Sequence, residues 1–145
     1  MVKEVALYVG AALGKYGFPD GHPFGPDRQD AFWKETVRQG LDQQALLAES
    51  RPAARAEIER FHTAEYVSRV EHLSLLGHGL IDHGDTPAYP GVYDDSSAVV
   101  GAALAGLERV MSGECYRTLQ PIGGLHPARP GSGAGFCVFN DCGVV

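Results

Sequence analysis

Apolar positions along this chain fall into short continuous runs and longer stretches with helical repeat. Val5 to Val9 (VALYV) is such a run and predicts a buried strand. A Gly- and Pro-rich loop follows, from Gly10 to Pro26. Asp27 to Gln39 reads as a helix, because Trp33, Val37 and Leu41 recur at helical spacing and Gly40 supplies a stop. Ala45 to Glu49 predicts a second short strand. Arg51-Pro52 is expected to open a helix through about Phe61, since proline's missing N–H does no harm in a first turn. Thr63 is placed to cap the next helix, on which Tyr66, Val67, Val70 and Leu73 share a face. Gly77 to Gly91 is a long loop. Asp94 or Asp95 is expected to cap a helix that runs to about Ser112 and ends at Gly113. That helix is apolar on nearly every side between Ala98 and Leu107, which predicts burial. Cys115 to Ile122 predicts a third strand, and Gly123 to Gly135 a loop. Phe139-Asn140-Asp141 has the character of a helix start.

Strands separated by helices indicate an α/β protein: a small parallel sheet of about three strands flanked by helices, with residues 1–145 as a single domain. Such a sheet has open edges and apolar surface to cover, so self-association is expected. With 44% hydrophobic and 21% charged residues, the composition fits a soluble globular protein. No apolar run approaches the roughly 20 residues of a membrane span. The first residues lack the long apolar region of a signal peptide, so a cytoplasmic location is expected. The net charge is −6 and the 12 basic residues are scattered, which argues against duplex nucleic acid. Cys115, Cys137 and Cys142 form no CxxC pair, which argues against a disulfide framework or a zinc knuckle.

His126 is the leading candidate for chemistry. It follows a predicted strand, beyond the end where open parallel sheets place ligands, and histidine moves protons near neutral pH. The alternative is a loop histidine bonded to nearby backbone. The glycines around it, Gly123-Gly124 and Gly131 to Gly135, do not have the G-x-G-x-x-G spacing of a dinucleotide loop. Phe136, directly after a glycine, can present an aromatic wall to a narrow pocket. Cys137 and Phe139 read as packing, and Asp141 as a helix cap rather than a metal ligand. Arg28 at a helix start opposes the helix dipole, so it is expected to be held from outside its own helix; a surface salt bridge is the alternative. Asp85 reads as a rim carboxylate or a solvated loop acid. His78, Asp82, His83 and Asp85 lack a standard zinc-ligand spacing.

Five segments together carry a resemblance: GHPFGPDR (Gly21–Arg28), RFHTAEYV (Arg60–Val67), DTPAYPGVYD (Asp85–Asp94), GGLHPA (Gly123–Ala128) and GFCVFND (Gly135–Asp141). In order and spacing the chain resembles the N-terminal part of the zinc-dependent histone deacetylase superfamily. Its bacterial branch, with acetoin-utilisation deacetylases and acetylpolyamine amidohydrolases, looks closest. The resemblance implies an arginase/deacetylase-like three-layer fold in truncated form. It also implies a chemistry in which zinc polarises an acetamide carbonyl, a histidine pair handles protons and a tyrosine steadies the oxyanion. His126 would be the first histidine of that pair. Gly135 and Phe136 would line the acyl-lysine tunnel, Asp85 would orient substrate at the rim, and Arg28 would line an internal cavity.

Two departures bear on activity. Pro127 stands where the family has its second histidine, and proline has neither a titratable group nor an N–H. The family's zinc ligands and its catalytic tyrosine fall beyond position 145. The chain alone is therefore expected to hold no cofactor where the family holds zinc, and to be inactive. It would be the half of an enzyme completed by a C-terminal half, a non-catalytic binding or assembly module, or a decayed remnant. Its expected partners are a second copy or that complementing half, and an acetyl-lysine peptide or acetylated small molecule. Nucleic acid and membrane are not expected.

Overall fold

Three strands pair in parallel in the computed structural model, which describes residues 4–145. They are β1 (Val5–Tyr8), β2 (Leu46–Ala48) and β3 (Arg117–Leu119), in the order β2-β1-β3. Ala6 of the central strand lies opposite Leu46 on one side and Thr118 on the other. The apolar run of β1 is buried as expected, with Ala6, Leu7 and Tyr8 inside. β3 is shorter than the run Cys115 to Ile122. Cys115 is drawn into the core, and Gln120 turns its amide to the carbonyls of Val99 and Ile122 (both 2.9 Å), which ends the ladder. All three residues of β3 are exposed.

Six helices complete the order: α1 (Ala11–Gly14), α2 (Arg28–Arg38), α3 (Arg55–Ile58), α4 (Ala64–Leu76), α5 (Val92–Met111) and α6 (Asp141–Val144). α5 is the spine, and its inward face is built from small residues. A Cβ on Gly101 would lie 1.6 Å from the Arg51 carbonyl oxygen, and one on Gly106 would lie 2.9 Å from Thr118 Oγ1. Glycine at these positions lets α5 press against the segment after β2 and against β3. The Ala53 N–H donates to the Ser97 carbonyl (3.0 Å), and the Ser50 hydroxyl donates to that of Ala98. The core joins Ala6, Tyr8 and Ala48 to Val99, Val100 and Leu104 of α5 and continues into Tyr66, Val67 and Val70 of α4. A groove of about 280 Å³ lies between α2 and the opposite face of the sheet, lined by Val5, Leu7, Phe32, Thr36 and Leu119.

Several element boundaries differ from expectation. α5 begins at Val92, capped by Gly91 at φ 87°. Asp94 and Asp95 therefore lie in its first turn, where carboxylates face the helix's positive end. Its burial ends before Leu107, Val110 and Met111, which are exposed. Pro52 precedes α3 rather than opening it. Ala54 is the cap, and its N–H donates to Glu57 Oε2 (2.7 Å). On α2 the repeat of Trp33, Val37 and Leu41 is not the buried face. Val37 and Leu41 are exposed, while Thr36 is buried with its hydroxyl donating to the Phe32 carbonyl (2.9 Å). That internal bond removes the cost of burying a hydroxyl. Thr63 does cap α4, accepting from the Tyr66 N–H (3.2 Å). Among the described residues no helix is long and apolar enough to cross a membrane.

Candidate functional site

The segment from Phe136 to Asn140 crosses the interior outside the three-stranded sheet, so its backbone polar groups need other partners. Side chains from distant parts of the chain provide them. The Phe136 N–H donates to Thr86 Oγ1 (3.0 Å), and the Phe136 carbonyl accepts from the Tyr16 hydroxyl (2.7 Å). The same Tyr16 oxygen accepts from the Val138 N–H (3.3 Å), while the Val138 carbonyl accepts from the Tyr66 hydroxyl (2.6 Å). The Asn140 N–H donates to His62 Nε2 (2.9 Å). Burial pushes the phenols of Tyr16 and Tyr66 well above their ordinary range, which keeps both protonated as donors.

His62 is fixed in one tautomer by this arrangement. Its Nε2 accepts from Asn140, so its Nδ1 carries the proton and donates to the Pro130 carbonyl (3.2 Å). Burial lowers its pKa and favours the neutral ring. Cys137 and Phe139 pack inward, as expected. The Cys137 thiol, pushed up to about 12 by burial, stays protonated, and its single S–H is shared between the Leu125 and Phe139 carbonyls (3.0 and 3.2 Å).

Phe136 has φ 66° and Gly135 φ 54°. The positive φ of Gly135 suits glycine, and a Cβ there would also lie 3.0 Å from Pro127 Cγ. The turn places the half-buried Phe136 ring beside Phe24 (centroids 5.4 Å apart), Phe18 (6.1 Å) and His22 (4.8 Å). His22 ties two loops together: its Nδ1 accepts from the Phe24 N–H (3.0 Å) and its Nε2–H donates to the Asp85 carbonyl (3.1 Å). Arg28 is held from outside its own helix. Its guanidinium lies 3.3 Å from the centre of the Phe24 ring and donates to the carbonyls of Gly25 (3.1 Å) and Tyr16 (3.3 Å).

The loop bearing Asp85 is organised by Asp82. Its Oδ1 accepts from the N–H groups of Gly84 (3.0 Å), Asp85 (3.1 Å) and Thr86 (2.9 Å), and its Oδ2 from the Thr86 hydroxyl (2.6 Å). Burial raises the pKa of this carboxyl, but the Thr86 and backbone donors outweigh it and hold the group well below the usual carboxylate range. The exposed Asp85 carboxyl is shifted upward, chiefly by its interaction with Asp82. Thr86 Oγ1 joins this loop to Phe136, so the structure brings the segments of Asp85, Gly135 and Phe136 together.

His126 is exposed at the other end of the long loop. Its carbonyl, with that of Ala128, accepts from Asn140 Nδ2 (3.2 and 3.0 Å). Asn140, rather than Asp141, caps α6, accepting from the Gly143 N–H (2.9 Å). The Asp141 carboxyl is buried behind the loop. Its Oδ2 accepts from the Gly124 N–H (2.8 Å), its Oδ1 has no partner, and burial raises its pKa. Among the described residues no three His, Cys, Asp or Glu side chains converge to hold a metal ion. These residues by themselves therefore do not fit a zinc centre, and no chemical step is routed through one.

The stitching residues were missed in the sequence, although signals for some of them were present. His22, His62, Tyr66 and Thr86 all lie inside the segments that carry the resemblance. Tyr16 and Asp82 lie outside them; nothing in the local pattern marks Tyr16, and Asp82 stands out only as a neighbour of His78, His83 and Asp85.

Known proteins show the same architecture. A family profile described as histone deacetylase domain matches residues 22–145. Histone deacetylase RPD3 of Saccharomyces cerevisiae is 30% identical over 147 residues, covering 96% of this chain and 34% of RPD3. The acetoin utilization protein AcuC of Staphylococcus aureus is 30% identical over 154 residues, covering 99% of this chain and 39% of AcuC. The chain thus spans little more than a third of the length of these relatives. The HD domain of HDA15 superposes with a TM-score of 0.89 at 19% identity, covering 99% of this chain and 42% of that one, which establishes the shared fold. With a matching profile over most of its length and relatives 30% identical across nearly all of it, this chain belongs to the histone deacetylase family.

Proposed function

We propose that these residues form the acyl-binding wall and rim of a deacetylase-type site for acetyl-lysine peptides or acetylated polyamines, and that the 145 residues alone do not cleave the amide. The observation that carries this reading is the presentation of Phe136. Its ring, backed by Phe24 and His22, offers a flat apolar surface, and Thr86 ties it to the loop of Asp85. A methylene chain packs on such a surface by removing apolar area from water, and a carboxylate at the rim accepts a substrate amide N–H. His126 retains one titratable ring at the end of the β3 loop, whereas Pro127 beside it can neither take nor give a proton. Proton transfer at a second station and all metal ligation would then come from other residues.

The open β3 edge, with Leu119 half exposed and Tyr116 exposed beside it, is the face we assign to the polypeptide that supplies them. Unpaired backbone groups on an edge strand favour the addition of another strand. Without that polypeptide, the same edge is expected to pair with a second copy. Pro127 also favours a second reading, in which the chain is a non-catalytic module that binds acylated lysine.

Calorimetry and acetate release measured on the pure chain test the proposal. Expected is weak binding of an acetyl-lysine peptide or N-acetylputrescine, with no acetate formed. Phe136→Gly, which removes the ring and suits the positive φ, should abolish binding, and Asp85→Asn should weaken it. Turnover by the pure chain would overturn the claim of inactivity. Binding insensitive to Phe136→Gly would overturn the assignment of the wall.

A further inference from the structure

Asp82 does not touch the aromatic wall, yet the bonds it organises end there. Thr86 is fully buried, and its hydroxyl is used in both directions, donating to Asp82 Oδ2 (2.6 Å) and accepting from the Phe136 N–H (3.0 Å). A threonine hydroxyl has one proton, so the carboxylate fixes the direction of the chain. With the proton on the Asp82 side, a lone pair is left for Phe136. The short bond to an ionised group is the stronger kind and polarises the next one. Phe136 needs such a hold, because φ 66° is a region that non-glycine residues rarely occupy. Asp82 is anchored in turn by the N–H groups of Gly84, Asp85 and Thr86, so the carboxylate that shapes the rim also reaches the wall.

We propose that Asp82, acting through the Thr86 hydroxyl, is a positioning residue that sets the conformation of Phe136. Its relevance to ligand binding rests on the reading of Phe136 as an acyl-binding wall. An asparagine at position 82 would offer an NH₂ where Thr86 needs an acceptor. The hydroxyl proton would turn from Asp82 toward Asp85 Oδ1 (3.4 Å), and the bond from the Phe136 N–H would lose the carboxylate that polarises it and fixes its direction. Serine at position 86 would preserve the relay, and valine would remove it at nearly constant shape.

The test uses the 15N-labelled chain and two readouts: the amide proton shift of Phe136 and affinity for an acetyl-lysine peptide. Asp82→Asn and Thr86→Val are expected to move the Phe136 amide proton upfield and to weaken the peptide by about tenfold, or about 1.4 kcal/mol. Thr86→Ser should keep both readouts at wild-type values, and the amides of α5 should stay in place in all three variants. A Phe136 amide unmoved by Asp82→Asn overturns the proposal, and so does loss of both readouts in Thr86→Ser. Because Thr86 is buried, Asp82→Asn at the half-buried carboxylate carries the test if Thr86→Val fails to fold. Absence of peptide binding by the wild-type chain would reject the wall reading, and the amide shifts would then decide the relay by themselves.

Discussion

α5 and the segment from Phe136 to Asn140 are both buried, yet they are held by different physics. α5 carries its own backbone bonds and meets the sheet and the Arg51–Ala53 segment through glycine and other small residues, so its fit is a matter of volume. Phe136 to Asn140 forms no part of the sheet, and its fit depends on single atoms: the hydroxyls of Tyr16, Tyr66 and Thr86 and one nitrogen of His62. A core of the first kind tolerates loss of a polar atom and suffers from an added carbon. The second kind reverses this. The difference places the sensitivity to polar substitution at the candidate site rather than in the helical spine.

Breaking the first region gives the largest effect. Gly101→Ala puts a Cβ within 1.6 Å of the Arg51 oxygen, so α5 or the 51–53 segment must move. Overpacking of this kind costs about 3 kcal/mol or more, read as a fall in the urea midpoint of the whole chain. A loss below about 1 kcal/mol would show that α5 does not press on that segment.

Tyr16→Phe should cost less and act locally. It leaves the Phe136 carbonyl and the Val138 N–H without their partner, at about 1–3 kcal/mol for buried unpaired groups. The α5 amides should keep their shifts. A global change in those shifts would mean that the two regions are not separable.

Acidity sharpens the contrast further. His62 is neutral when folded and its pKa is lowered, chiefly by burial, so the unfolded chain binds the extra proton. Its contribution is fully present above the ordinary histidine pKa of about 6.5 and falls as pH drops through that value. Asp141 has the opposite sign. Its pKa is raised by burial, so stability falls as pH rises from the ordinary carboxylate range through that raised value. Urea midpoints should therefore lose their decline below about pH 6.5 in His62→Gln, and Asp141→Asn should remove an opposing slope that begins near the ordinary carboxylate pKa of about 3.9.

The smallest effect is expected at β3. Leu119→Lys on the open edge should change stability by less than about 0.5 kcal/mol while reducing concentration-dependent self-association in sedimentation. Unchanged association would move the interface elsewhere.

The parts that proved legible in the sequence are those governed by period and by local caps. β1 followed from a continuous apolar run, α4 from the face of Tyr66, Val67 and Val70 with Thr63 before it, and the buried half of α5 from its composition. The repeat of Trp33, Val37 and Leu41 locates α2 but not its buried face, because a threonine that bonds its own helix replaces an apolar residue at the core position. Within the candidate site, the sequence marks Phe136 and Asp85 as candidates, but the bonds that join their loops are invisible in it. Thr86 and Phe136 are 50 residues apart, and Tyr16 and Phe136 are 120 apart. Periodicity reports which residues face inward, not which distant hydroxyl meets which carbonyl.

Amide hydrogen exchange on the wild-type chain tests most directly whether the Phe136–Asn140 segment is prebuilt by these residues alone. The amides of Phe136, Val138 and Asn140 are expected to be protected to the same degree as the ladder amides of β1. In Tyr16→Phe protection should fall at Val138 while α5 is unchanged. Exchange at Phe136, Val138 and Asn140 as fast as in an unfolded peptide would contradict the account.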